Sequence, residues 1–234
     1  MQTIDLNYID PKPRRNLLDL GCGEGRHCFG AYMYAELSVY GFDMSLEDVK
    51  KAKKNFNEFD EENEKKSCSF GVTDARKLPF ADSCFDYIIC SEVLEHIIEY
   101  EEVLSEINRI LKPGGIFAMS VPKFFPEWVC WKLSEQYQKM PGGHVRIFKY
   151  GELKEKIIER DFSFLKRHWN HALHSPYWWL QCLFWDNKEK SFLIRKYHDF
   201  LVWDMMSKPL LTKVLEFLLQ PIIGKSVVAY FRKN

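Results

Sequence analysis

A short apolar run that breaks into three alternating glycines, NLLDLGCGEG at residues 16–25, admits few architectures. An apolar stretch of this length reads as a strand buried on both faces, the kind found in parallel sheets. Glycines directly after it permit positive φ and bring bare backbone close to whatever binds there. The pattern then repeats as strand and helix. Strands are expected over 37–42, 68–72, 85–90 and 116–121. Helices are expected from about residue 25 to 35, from Ser45 with Asp48 completing a capping box, and around Val103, Ile107, Ile110 and Leu111. Lys112-Pro113-Gly114-Gly115 is expected to stop the last of these. Such alternation predicts an α/β fold, a parallel sheet with helices on both faces, whose ligands bind beyond the carboxyl ends of the strands.

Beyond Pro122 the texture changes. All seven tryptophans fall between Trp128 and Trp203. Residues 151–159 read as a helix, 162–169 as a strand, 170–222 as two or three helices and 225–232 as a final strand, with His174-Ser175-Pro176 as a turn. The charge run over 47–66 reads as the solvated face of the second helix and the loop after it, opposite a stripe of Val49, Ala52, Phe56 and Phe59.

Composition excludes several classes of function. Lys+Arg and Asp+Glu both number 33, and a zero balance argues against a chain whose main task is gripping nucleic-acid phosphates. No stretch approaches 18 consecutive apolar residues, so no membrane-spanning helix is expected. The first fifteen residues lack an apolar signal core, which predicts a cytoplasmic chain. Seven cysteines with no CxxC pair predict reduced thiols rather than a disulfide scaffold or a zinc site. His168, His171 and His174 are spaced by three, but no carboxylate lies among them to complete a site, and no metal is expected.

The glycine loop is chemically specific. A dinucleotide fingerprint would need its third glycine at position 26, which is Arg26. Asp19 stands two residues before the first glycine, where a carboxylate repels a pyrophosphate and welcomes an ammonium group. That points to a cationic, amino-acid-like ligand such as S-adenosylmethionine. Asp43, at the end of the second strand, can accept two ribose hydroxyls. Asp74, at the end of the third, can accept an adenine amino group.

The segments LLDLGCGEGRH, YGFDMS, VTDARKLPFADSCFDYIICSEVLEHI and LKPGGIFAMSVP resemble the successive motifs of class I S-adenosylmethionine-dependent methyltransferases. The likeness is closest to the small-molecule group that includes ubiquinone and menaquinone methyltransferases. It covers about residues 16–122, plus HVRIFKYGELKEKI farther on. It implies a single domain with a Rossmann-like, seven-stranded, mostly parallel sheet, its last strand antiparallel. The core would comprise about 16–122, 145–169 and 225–232. A helical, aromatic lid would come from 123–144 and 170–222. It further implies that Asp19, Gly21, Cys22, Gly23 and Gly25 surround the methionyl part of the cofactor, that Asp43 and Met44 hold ribose and flank adenine, and that Asp74 and the Ala75 backbone N–H read adenine. Ser91 and Glu92 would lie near the methionine moiety and the sulfonium.

Methyl transfer from an activated cofactor asks the protein mainly for alignment and desolvation. A hydroxyl or acidic carbon acceptor also needs a base. Among the histidines at 27, 96, 144, 168, 171 and 174, His144, after Gly142-Gly143, and His96, after Glu95, are the candidates. Cys90-Ser91-Glu92-Val93-Leu94 stands where enzymes methylating amino groups on bases carry an Asn/Asp-Pro-Pro-aromatic motif, which disfavours a nucleic-acid partner. The aromatic second half favours a small, hydrophobic acceptor of quinone, isoprenoid or lipid type, and leaves room for peripheral membrane contact. A cofactor-binding protein without turnover and a protein methyltransferase are the alternatives.

Overall fold

The computed structural model describes residues 2–59, 66–207 and 209–234, with Phe59 followed as backbone only. The Phe59 side chain and the part of the charge run at 60–65 lie outside the described residues. In chain order the elements are β1 (Arg15–Leu20), α1 (Arg26–Tyr34), β2 (Leu37–Asp43), α2 (Leu46–Phe59), β3 (Ser67–Val72), β4 (Phe85–Ser91), α3 (Tyr100–Ile110) and β5 (Leu111–Pro122). They continue with α4 (Phe124–Leu133), α5 (Glu135–Gln138), α6 (Tyr150–Ile158), β6 (Phe162–Asn170), α7 (His174–Leu183), α8 (Phe192–Ser207), α9 (Leu210–Ile223) and β7 (Ser226–Lys233). Single 3-10 turns lie at Leu6–Tyr8, Leu94–His96 and Trp185–Asn187.

The strands form a seven-stranded sheet in the order β3-β2-β1-β4-β5-β7-β6. β1 runs parallel to β2 and β4, β2 to β3, and β4 to β5. β7 is antiparallel, as the Rossmann-like reading requires. β4 is buried along its whole length, which is why it reads as a largely apolar run interrupted only by Asp86 before its closing Ser91.

Two local expectations are corrected. Lys112-Pro113-Gly114-Gly115 does not separate helix from strand but opens β5, because Leu111 already pairs with Phe85 across an irregularity between Phe85 and Tyr87. Lys112 Nζ bonds Asp86 Oδ2 at 2.9 Å, and Gly114 absorbs the irregular backbone at φ 77°. His174-Ser175-Pro176 is not a free turn but the first turn of α7, where a proline lacks only a donor that no helix needs there. The helices α4 and α5 occupy a stretch whose aromatic, proline- and glycine-punctuated sequence shows no helical period.

The chain divides into two compact units. The first is Met1–Val121, Gly151–Arg167 and Val228–Asn234. Its core joins Leu17, Val39, Ile89, Ala118, Val228 and Tyr230 into one cluster. The residues before β1 are fastened to it. His27 Nε2 accepts from the Thr3 and Ile4 N–H groups at 3.2 and 3.3 Å, and the buried Tyr230 hydroxyl accepts from Asp5 N–H at 2.9 Å.

The second unit is Pro122–Tyr150 and His168–Val227. Cys130, Tyr137 and Cys182 form its buried cluster, with Trp131, Trp178, Trp179 and Trp185 packed around them. Trp179 Nε1 donates to the Pro126 carbonyl at 3.0 Å. Among the described residues no helix is long and apolar enough to cross a membrane.

Candidate functional site

β1 delivers Asp19 to the carboxyl edge of the sheet and then yields to the glycine loop. Gly21, Gly23 and Gly25 all have positive φ, at 75°, 52° and 88°. At Gly21 the requirement is also steric, since a Cβ would stand 2.2 Å from Val93 Cγ2, just beyond β4. At Gly23 a Cβ would meet nothing within 4 Å, so this stretch of backbone borders open space. The loop ends as Gly25 caps α1.

Asp19 is fully buried. Its Oδ2 accepts from the Cys28 thiol at 3.3 Å, and its Oδ1 has no hydrogen-bond partner among the described residues. Burial pushes its carboxyl up to about 7, opposed chiefly by the Cys28 bond and the charge of Arg26. Cys22 and Cys90 are buried as well, and burial also raises the Cys28 and Cys90 thiols. The carboxylate is thus buried with one oxygen unpaired among the described residues, a costly arrangement without a cationic or donor partner.

Hydrogen bonds run from this loop to the next two strand ends. Gly21 N–H and Cys22 N–H donate to the Phe42 carbonyl at 2.7 and 3.1 Å. Asp43 Oδ2 accepts from Gly23 N–H and its Oδ1 from Ser45 N–H, both at 2.8 Å, so this carboxylate fixes the loop's shape with lone pairs remaining on each oxygen. Thr73 N–H donates to the Asp43 carbonyl at 3.0 Å, which sets the turn that carries Asp74 and Ala75. Asp74 holds Arg76 through its backbone N–H at 2.9 Å and its guanidinium at 2.7 Å, and this pairing keeps the Asp74 carboxyl below its ordinary range. Met44 is 75% exposed beside Asp43.

At the end of β4 a second polar chain appears. Ser120 Oγ donates to Glu92 Oε1 at 2.8 Å. With that proton committed, Ser91 is the donor in the 2.9 Å bond between the two serine hydroxyls. Glu92 adopts a left-handed backbone at φ 57°, the kind of local strain that gathers at functional sites. Ser120, Cys28 and Val93 were missed as site residues. Only the in-register pairing of Ser91 with Ser120 offers a signal for the first of them.

The two histidine candidates lie in different units. His96, in the first, closes the turn after β4, with Nε2 4.0 Å from Oε1 of the buried Glu95. His144, in the second, places Nδ1 2.7 Å from Oε1 of Glu127, a side chain only 4% exposed. Trp131 Nε1 and the Tyr137 hydroxyl donate to the same carboxylate at 3.1 and 3.3 Å. A carboxylate only accepts, so Nδ1 carries the proton and Nε2 is the basic nitrogen. Glu127 carries no sequence signal, being one acid among many.

The histidines at 27, 168, 171 and 174 make structural contacts. Burial lowers His27 to about 3, leaving it neutral and accepting. His168 bonds the Asn170 amide at 3.3 Å, and His171 and His174 meet edge to face at 5.5 Å, with burial lowering His174.

Residues 11–196 match the family model of the methyltransferase domain. The chain is 32% identical over 111 residues to the ubiquinone/menaquinone biosynthesis C-methyltransferase UbiE of Acidiphilium cryptum, covering 47% of this chain and 43% of that protein. It is 27% identical over 225 residues to the sterol 24-C-methyltransferase of Pneumocystis carinii, covering 89% of this chain and 53% of that protein. The chain therefore spans about half the length of these curated relatives. Among solved structures, phosphoethanolamine N-methyltransferase 2 of Haemonchus contortus, in complex with S-adenosyl-L-methionine, superposes with a TM-score of 0.61 at 20% identity, covering 97% of this chain and 51% of that one. By the extent of the family match, this chain belongs to the methyltransferase domain family.

Proposed function

We propose that the protein is an S-adenosylmethionine-dependent methyltransferase that acts on a small, hydrophobic acceptor. The observation that carries the cofactor is Asp19, a buried carboxylate with an unpartnered oxygen beside a positive-φ glycine loop. Those features fit a cationic amino-acid moiety approaching bare backbone. Asp19 with Gly21, Cys22, Gly23 and Gly25 would hold the methionyl end, Asp43 and Met44 the ribose and one adenine face, and Asp74 and the Ala75 N–H the adenine edge. For Asp74 to do so, its contact with Arg76 must loosen. Ser91 and Glu92, ordered by Ser120, would line the sulfonium end. The cofactor, when bound, supplies a methyl group on a cationic sulfur.

What the chain adds is exclusion of water, alignment and a base. His144 is the stronger candidate, because Glu127 fixes its tautomer; His96 is the second. Sterol and quinone appear in the names of the two curated relatives, and phosphoethanolamine in that of the structural neighbour. The tryptophan-rich second unit favours the apolar class, and we assign the acceptor-selecting lid to it.

Calorimetry with S-adenosylhomocysteine and with NAD tests the cofactor, and transfer of labelled methyl into an organic-extractable product from membrane lipids tests the acceptor. Binding of the first ligand alone, with label in the organic phase, is expected. Binding of NAD in its place overturns the cofactor. Label only in protein would reassign the acceptor, and cofactor binding with no label in any fraction would leave a binding protein.

A further inference from the structure

α9 turns its apolar residues outward. Leu210, Leu211, Val214, Phe217, Leu218 and Ile222 are each between 47% and 77% exposed. At 3.6 residues per turn they fall within a single arc of about 140°. The other side holds the buried Thr212 and the half-buried Glu216. Both Glu216 oxygens accept backbone N–H groups, from Ala172 at 2.7 Å and Leu173 at 2.9 Å. The one acid of this helix is thus drawn off the outer face, and its exposed charge is Lys213. Between Asp204 and Glu216 the ionisable residues are Lys208 and Lys213, both cationic; Lys208 is known by sequence alone.

We propose that this face of α9 rests in the outer acyl layer of an anionic lipid bilayer. An apolar surface this continuous marks an interaction site. A protein partner would bring about one hydrogen bond per 100–200 Å² and a polar rim of both signs. The arc offers no side-chain donor or acceptor to meet them, whereas hydrocarbon requires none. Lys213, exposed beside the arc, complements anionic headgroups. The helix has 14 residues, which at 1.5 Å each gives about 21 Å, short of the roughly 30 Å hydrocarbon core, so it lies along the surface and does not cross it. The inference goes beyond methyl transfer and stands whether or not that reading does.

The full chain is floated with vesicles of phosphatidylcholine alone and of equimolar phosphatidylcholine and phosphatidylglycerol. The wild type is expected to float with the anionic vesicles, less so at high salt. Leu211→Glu/Phe217→Glu is expected to weaken that binding by about tenfold or more, given the cost of placing charge in acyl chains, with its melting temperature unchanged because both positions are exposed. Lys213→Glu is expected to weaken binding to the anionic vesicles and not to the neutral ones. Failure of the wild type to float with either vesicle overturns the proposal, as does undiminished binding by the double variant. A concentration-dependent dimer in sedimentation, abolished by the same double substitution, would assign the face to a second copy of the chain instead.

Discussion

Asp19→Asn tests the electrostatic centre of the site through stability alone, with no ligand needed. The Asp19 carboxyl moves from an ordinary 3.8 to about 7 on folding because it is buried. Those figures differ by about 3 units, which at about 1.36 kcal/mol per unit is about 4 kcal/mol. The native state holds the proton more tightly, so this contribution is fully present below about pH 4 and is lost as pH rises through 7. His27 works the other way. Its imidazole falls from 6.5 to about 3, so its contribution is present above about pH 6.5 and is lost as pH falls toward 3. In the wild type the two slopes oppose each other between pH 4 and 6.5. The asparagine variant keeps the His27 slope and loses the other. Urea unfolding of both proteins from pH 4 to 8 should therefore show the variant gaining on the wild type by about 4 kcal/mol across the range. Other titrating groups cancel in the difference. Parallel curves would refute the claim that burial of Asp19 outweighs its Cys28 bond and the charge of Arg26.

Further predictions concern the neighbouring groups. Asp43→Ala removes the acceptor of two backbone donors, at Gly23 and Ser45, and should weaken S-adenosylhomocysteine binding by about 1–3 kcal/mol in calorimetry; unchanged affinity removes Asp43 from the ribose role. Gly21→Ala drives a methyl into Val93 at positive φ and should cost about 1–3 kcal/mol of stability. Adding Val93→Ala should restore part of it, and a double variant no better than the single one argues against that clash. His144→Ala should spare cofactor affinity and lower turnover, whereas equal turnover excludes it as the base. Glu127→Leu leaves three donors without their acceptor and should lower the melting temperature, at about 1–3 kcal/mol for the buried Tyr137 hydroxyl and less for the half-buried Trp131 and His144; an unchanged melting curve contradicts these bonds.

The strands nearest the site were the most legible, and the reason is physical. β1 and β4 are buried over Leu17–Leu20 and Phe85–Ser91, so short apolar runs (Leu17-Leu18, Ile88-Ile89) mark them, and the glycine loop follows because only glycine tolerates the Val93 contact at positive φ. The start of β5 was hidden because Pro113, Gly114 and Gly115 carry the chemistry of a turn while pairing with β4 holds them in the ladder. The helices of the second unit were read poorly for a related reason. α4 carries Phe125, Trp128 and Cys130 on several sides, so its apolar residues show no single stripe for a periodicity argument to find. Glu127 and Ser120 escaped because their roles arise from partners distant in sequence, Tyr137 and His144 for one and Ser91 for the other.

The place of β7 between β5 and β6 has a consequence for synthesis. β6 leaves the ribosome with residues 171–225 still to be made before its neighbour β7 exists. Through that interval β5 and β6 both present open ladders, which invite pairing with another nascent chain. Chaperone dependence should therefore rise steeply for chains stalled or cut before position 226, and fall once the last strand threads into the gap.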